Sequence, residues 1–201
     1  RDPKSIKLIA VSKTFPIEKI QEAYDAGQRA FGESYAQELA TKALALAHLT
    51  DIEWHFIGHL QSNKAKIIAA HAHMMHTVDS ASLARELARR VSVLEKTLPV
   101  LIEVNVANEP QKHGVSAIEL ADVIAAIQKE TSLSLRGVMT IPPDEIAAAK
   151  TTFETLVSLR NLHGGEKILP ELSMGMSSDL EIAVAASSTM VRVGTAIFGD
   201  R

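Results

Sequence analysis

The feature that most constrains this 201-residue sequence is a repeated alternation of short β-branched or apolar runs with segments whose apolar residues fall at helical spacing. Strands are expected at residues 5–12, 29–32, 53–58, 74–78, 99–106, 135–141, 171–174 and 190–193. Helices are expected at 17–26, from 33 to about 48, and at 62–70, 81–94, 117–129, 145–162 and 179–186. Gly27 closes the first helix, and Pro142 with Pro143 stops the sixth strand. Regular strand–helix alternation implies a mainly parallel sheet with helices outside it. Eight units favour an α/β fold of the closed (β/α)8 TIM-barrel type, because an open doubly wound sheet usually stops at five or six strands. The pattern alone still admits the open sheet. No linker or composition shift divides the chain, so residues 1–201 read as one domain.

Composition removes several classes of function. The net charge of -3 argues against a nucleic-acid partner held by bulk electrostatics. No apolar run approaches the roughly 20 residues of a membrane-spanning helix, and the given start carries no signal peptide. The absence of cysteine rules out disulfides, a thiolate nucleophile and thiolate metal ligands. A cytoplasmic setting fits. The histidines His71, His73 and His76 lack carboxylates at ligand spacing, with His76 expected to face the helices, so no metal site is expected.

Side chains alternate faces along a strand, so parity sorts them. Ile9, Val11 and Lys13 share one face of the first strand, and His55 and Ile57 one face of the third. In the fifth, Val100, Ile102, Val104 and Val106 suit packing under helices, which turns Glu103 and Asn105 inward; in the eighth, Arg192 lies between Val191 and Val193 and points in. Lys13, His55, Glu103, Asn105 and Arg192 thus converge toward strand C-terminal ends, where barrel active sites lie. Taken alone, Lys13 reads more readily as a solvated charge, and Glu103 with Asn105 can be read as a hydrogen-bonded polar layer; it is the convergence of several such residues that points to a site. After the seventh strand, Ser178 and Glu181 have the spacing of a capping box. After the eighth, Gly194-Thr195-Ala196-Ile197-Phe198-Gly199 reads as a glycine-flanked turn. These two loops are the usual phosphate site of the fold. A lysine opposite a phosphate cradle suggests a phosphorylated carbonyl compound bound as an imine.

The motifs Ala10-Val11-Ser12-Lys13-Thr14, Phe31-Gly32-Glu33, Trp54-His55-Phe56-Ile57-Gly58, Leu60-Gln61-Ser62-Asn63-Lys64, Ser173-Met174-Gly175-Met176-Ser177 and the run from Ser188 to Gly199 resemble the pyridoxal 5'-phosphate (PLP) homeostasis protein family. That family is similar to the N-terminal barrel of alanine racemase, fold type III among PLP proteins. The resemblance implies PLP held as a Schiff base on Lys13, phosphate contacts from Ser173, Ser177, Gly194 and Thr195, and Arg192 facing the pyridine nitrogen. His55, Asn105 and Met174 complete the expected cofactor-binding set, Met174 by packing. Ser34 stands where the family commonly has asparagine, and the family's N-terminal helix would precede Arg1.

The expected role is a non-catalytic PLP carrier, with PLP-requiring apo-enzymes as partners and a monomeric or weakly dimeric state. A racemase-like enzyme is the alternative. It would need a second base such as a tyrosine, and Tyr24 and Tyr35 both fall on early helices. A Schiff-base aldolase without PLP is a third reading.

Overall fold

In the computed structural model, which describes residues 2–199, the alternation closes on itself. The order is β1 (Lys7–Val11), α1 (Ile17–Asp25), β2 (Ala30–Glu33), α2 (Ala36–Ala45), β3 (Glu53–Phe56), α3 (Ala65–His71), β4 (Met74–Val78) and α4 (Ala81–Ser92). It continues with β5 (Leu98–Glu103), α5 (Leu120–Gln128), β6 (Leu133–Met139), α6 (Ile146–Leu162), β7 (Glu171–Ser173), α7 (Leu180–Ala185), β8 (Met190–Val193) and α8 (Thr195–Phe198). Every neighbouring pair is parallel, and β8 returns to β1 with Lys7 opposite Met190 and Ala10 opposite Val193. That seam excludes the open sheet. The fold is the expected eight-stranded β/α barrel.

Parity divides the core. Ile9, Ala30, Met74, Leu101, Met139 and Met190 pack as one buried cluster inside the barrel. Their strand neighbours Ala10, Phe31, Met75, Val100, Ile102 and Val138 belong to the larger cluster beneath the helices. Two residues beyond Met74, Leu101 and Met190, the inward positions become His76, Glu103 and Arg192, all buried. A polar layer therefore lies above an apolar plug, and its members require partners to be there at all.

Several boundaries differ from the sequence pattern, for local reasons. β1 ends at Val11, because the carbonyl and hydroxyl of Ser12 are both taken by side chains; Lys13 falls in the following turn, where Thr14 has φ 67°. β5 ends at Glu103, which leaves Asn105 in a loop. α5 begins at Leu120 because Glu119 Oε2 accepts from the Ser116 N–H and hydroxyl, closing a separate turn ahead of the helix. At Gly58 a Cβ would stand 2.0 Å from the Ser34 carbonyl oxygen, so glycine is required for the loops after β2 and β3 to touch.

Candidate functional site

A cavity of about 310 Å³ opens at the C-terminal ends of the strands, at the small end of the range for small-molecule sites. Val11, Ile57, Ile141 and Met176 give it apolar walls. Lys13 and Arg192 are its charged lining groups, and Ser177, Ser178, Gly194 and Thr195 form its far end.

The turn that carries Lys13 is clamped on both sides. Lys42 Nζ, on α2, donates to the Ser12 carbonyl at 2.7 Å, to Glu33 Oε1 at 2.8 Å and to Glu38 Oε1 at 2.7 Å. Ser12 Oγ donates to Glu33 Oε1 at 2.6 Å, and the Thr14 N–H donates to Glu38 Oε1 at 2.6 Å. Both peptide groups next to Lys13 are thus tied to one buried ionic cluster. Burial pushes the Glu33 carboxyl above the usual range, against the hydrogen bonds from Lys42 and Ser12, and its Oε2 has no hydrogen-bond partner. Glu38 and Lys42, four residues apart on α2, were readable as a helical pair; their reach back to β1 was not.

Arg192 lies at the cavity floor, 4% exposed. It donates to Ser173 Oγ at 2.7 Å and to the Thr140 carbonyl at 3.0 Å. Ser173 Oγ meets His76 Nδ1 at 2.8 Å, His76 Nε2 meets His55 Nδ1 at 2.9 Å, and His55 Nε2 meets Glu53 Oε2 at 3.4 Å. Glu53 is also paired with Lys7 at 2.5 Å on the opposite rim of the barrel. The carboxylate end fixes the direction of this chain. An ionised Glu53 only accepts, so His55 donates to it from Nε2 and, as a neutral ring, accepts at Nδ1. His76 then carries its proton on Nε2 and accepts at Nδ1, so Ser173 gives its own proton to His76 and accepts from Arg192. Every bond points from Arg192 toward Glu53. Burial lowers the pKa of both histidines, that of His76 well below its usual value, which agrees with two neutral rings. The hydrogen bond from His55, followed by Lys7, holds Glu53 at about 2, and burial brings Arg192 down to about 10, still cationic at neutral pH.

At the far end, Asp179 Oδ1 accepts the Met176 N–H at 2.5 Å and closes a turn over residues 176–179. The expected capping box between Ser178 and Glu181 does not form, since α7 is capped without a side-chain bond and Asp179 organises the turn instead. Among the described residues, the hydroxyls of Ser177, Ser178 and Thr195 have no hydrogen-bond partner. The first N–H groups of α8 are left over by helix geometry. Gly175, at φ 100°, allows the close approach to α7, where a Cβ would lie 2.6 Å from that of Ala183.

The structure therefore brings Lys13, Ser177, Arg192, Gly194 and Thr195 to one cavity. His55 and Ser173 lie beneath it, joined to Arg192 through the chain just described. Asn105 is elsewhere: its amide donates to the carbonyls of Glu109 and Lys112 and its Oδ1 accepts the Glu109 N–H, so it staples its own loop. It lines a second cavity of about 160 Å³ with Glu103, Lys112 and His113. There burial, with the charge of Asp79 adding to it, raises the Glu103 carboxyl to about 7, while Arg192 opposes the shift. Met174 is fully buried in the cluster beneath the helices, because parity turns it away from the inward Ser173. His76 faces the interior and not the helices. All five residues of β4 are buried, so hydrophobicity could not tell its faces apart. Ser34, Ile57, Ile141, Met176 and Ser178 also line the cavity; of these, only Ile57 could be placed inward, by strand parity.

The family described as "Alanine racemase, N-terminal domain" matches residues 3–201. The chain belongs to that family. Within it, the pyridoxal phosphate homeostasis protein of Vibrio alginolyticus is 44% identical over 207 residues, covering 100% of this chain and 89% of the relative. The protein of the same description from Escherichia coli K12 is 43% identical, covering 100% and 88%. A solved family structure, PipY of Synechococcus elongatus PCC7942 without PLP, superposes with a TM-score of 0.93 at 38% identity, over 98% of this chain and 94% of that one. The structure described as PipY with PLP bound gives 0.88 at the same identity and coverage. Alanine racemase from Corynebacterium glutamicum, at 20% identity and TM-score 0.74 over 57% of its length, shares the fold.

Proposed function

We propose that this chain binds PLP in the 310 Å³ cavity and serves intracellular PLP homeostasis as a carrier. The observation that supports the reading best is the cavity's polarity: Lys13 on one wall, unpartnered hydroxyls and N–H groups at the far end, and Arg192 on the floor between strands. These residues fit PLP. Lys13 would hold the aldehyde carbon as a Schiff base, Ser177, Ser178, Gly194 and Thr195 the phosphate, and Arg192 the ring nitrogen. When bound, PLP supplies an electrophilic aldehyde and a conjugated ring able to take up electrons. Arg192 can only donate, so a ring nitrogen facing it must accept and stay unprotonated, which weakens that electron uptake. Ser173, fully buried between His76 and Arg192, positions the guanidinium and makes no phosphate contact in this reading.

The carrier role draws support from what lines the cavity. Among the described residues its titratable lining groups are Lys13 and Arg192. Tyr24 donates to Asp51 and lies under the Arg29 guanidinium, and Tyr35 is exposed at the start of α2; neither lines the cavity. A racemase needs a second base on the far face of the substrate, and among the described residues no tyrosine lines the cavity. PLP-requiring apo-enzymes in the cytoplasm are the proposed recipients. Among the described residues, no helix is long and apolar enough to cross a membrane.

Borohydride reduction of the PLP-loaded protein, followed by peptide mapping, tests the site. The label is expected on Lys13, and the visible absorption is expected to vanish in Lys13→Ala. A label on Lys64 or Lys112 would overturn the assignment. Turnover of L-alanine by the loaded protein at enzyme-like rates, on the order of 1 s⁻¹ or more, would overturn the carrier reading.

A further inference from the structure

Beside the main cavity, three loops of the C-terminal face bring together His59, Asp79 and His113. His59 follows β3, Asp79 follows β4 and His113 lies in the loop after β5, so three successive strands each contribute one group. One ligand atom from each lies within 4.8 Å of the others. His59 Nδ1 is 3.1 Å from Asp79 Oδ2, and the two imidazoles are stacked with centroids 3.7 Å apart and planes 7° from parallel. Two exposed imidazoles and a largely buried carboxylate form the donor set that borderline divalent ions of the zinc class prefer over magnesium or calcium.

The frame holding these groups is already fixed. Asn105 staples the His113 loop through Glu109 and Lys112. Gly114, at φ 106°, brings it back so closely that a Cβ would meet the Asn105 nitrogen at 2.8 Å. Lys112, the cation next to His113, is drawn away to Glu109 and to the Pro142 carbonyl. Bond lengths of 2.0–2.2 Å place the ligand atoms of a tetrahedral zinc ion roughly 3.3 Å apart. The three groups must therefore close by at most about 1.5 Å. Splaying the stacked rings achieves this without moving the core, since both rings are exposed.

We infer that His59, Asp79 and His113 form a site for a divalent zinc-class ion that ties together the loops after β3, β4 and β5. Three protein ligands leave a fourth position for water. Ile141 lines both the main cavity and the smaller one beside His113, so the ion would brace their shared wall. The inference is independent of what the main cavity binds.

The test uses tag-free, cofactor-free full chain, because PLP itself chelates metals. Zn²⁺ alone is titrated calorimetrically at pH 7.5, and Co²⁺ replaces it for visible spectroscopy. One equivalent of Zn²⁺ is expected, with Co²⁺ bands of low coordination number. His59→Ala, His113→Ala and Asp79→Asn should each weaken Zn²⁺ binding at least about tenfold, since loss of outer-shell partners alone costs that much in metal sites. His48→Ala, an exposed histidine in the loop before β3, should leave it unchanged. Melting curves without metal confirm that the variants fold, and a Zn²⁺-induced rise in Tm should appear in the wild type and vanish in them. Absence of saturable binding, binding that survives the His59→Ala/His113→Ala pair, or equal loss in His48→Ala would each overturn the inference.

Discussion

Replacing His76 by leucine cuts the interior hydrogen-bond chain at its centre with little change in volume. It strands the Ser173 hydroxyl proton on one side and His55 Nδ1 on the other, both in residues exposed by 1% or less. A buried polar group left without a partner costs about 1–3 kcal/mol, so the substitution should destabilise by about 2–6 kcal/mol. Ser173→Ala removes the same bond from the other end and also one acceptor for Arg192. The His76–Ser173 bond is counted in both single variants but can be lost only once. The double variant should therefore be more stable than the sum of the singles by about 1–3 kcal/mol. Urea denaturation at pH 7.5, with equal m-values across the four proteins, measures this coupling. Additivity within about 0.5 kcal/mol would refute the directed chain and reduce these groups to independent packing.

Acid should destabilise the barrel through the same histidines. Their folded pKa values are depressed, so below about pH 6.5 the unfolded chain takes up protons that the folded one refuses, at up to about 1.4 kcal/mol per pH unit for each until the folded ring also protonates. Glu103 acts in the opposite sense: with its pKa raised to about 7, its contribution is full below the unfolded value of 4.5 and is lost as pH rises through 7. Glu103→Gln should thus steepen the acid loss of stability between pH 6.5 and 4.5, which chemical denaturation across that range would measure. Lys42→Met strands the buried Glu33 and should cost about 3–5 kcal/mol, whereas Lys42→Met with Glu33→Leu should recover most of it; thermal melts compare the two. Gly58→Ala must push Ser34 aside and should lower stability by about 1–3 kcal/mol, together with PLP affinity measured by absorbance titration.

The barrel was legible because eight apolar runs, each followed by a helical segment, leave few topologies. Parity placed Ile9, His55, Glu103 and Arg192 on the inner face, since β-branched neighbours marked the outer one in β5 and β8. It failed in β4, where Met74 and Met75 put like residues on both faces and nothing marks the outer one, and His76 was lost for that reason. It also failed for Asn105, two residues past the end of β5, where the backbone has turned into a loop, whereas Lys13 and Ile57, also past their strand ends, still reach the cavity. The Lys42 clamp was invisible for a different reason: it joins residues 9 and 30 positions apart, and nothing in either segment advertises the other.

The β1–β8 seam has a consequence for how the cavity comes into being. Lys13 follows the first strand and Gly194 the last, so the two walls meet only when Lys7–Val11 has docked on Met190–Val193. This is the pairing of greatest sequence separation in the barrel, and such contacts carry the largest loop-closure cost during folding. A chain emerging from synthesis thus has a lysine but no pocket until its final strand arrives. Any ligand gripping both Lys13 and Thr195 bridges that seam and stabilises the closed ring according to its concentration over its Kd. Ligand supply and barrel closure are coupled, so the loaded form should resist seam opening and proteolysis best.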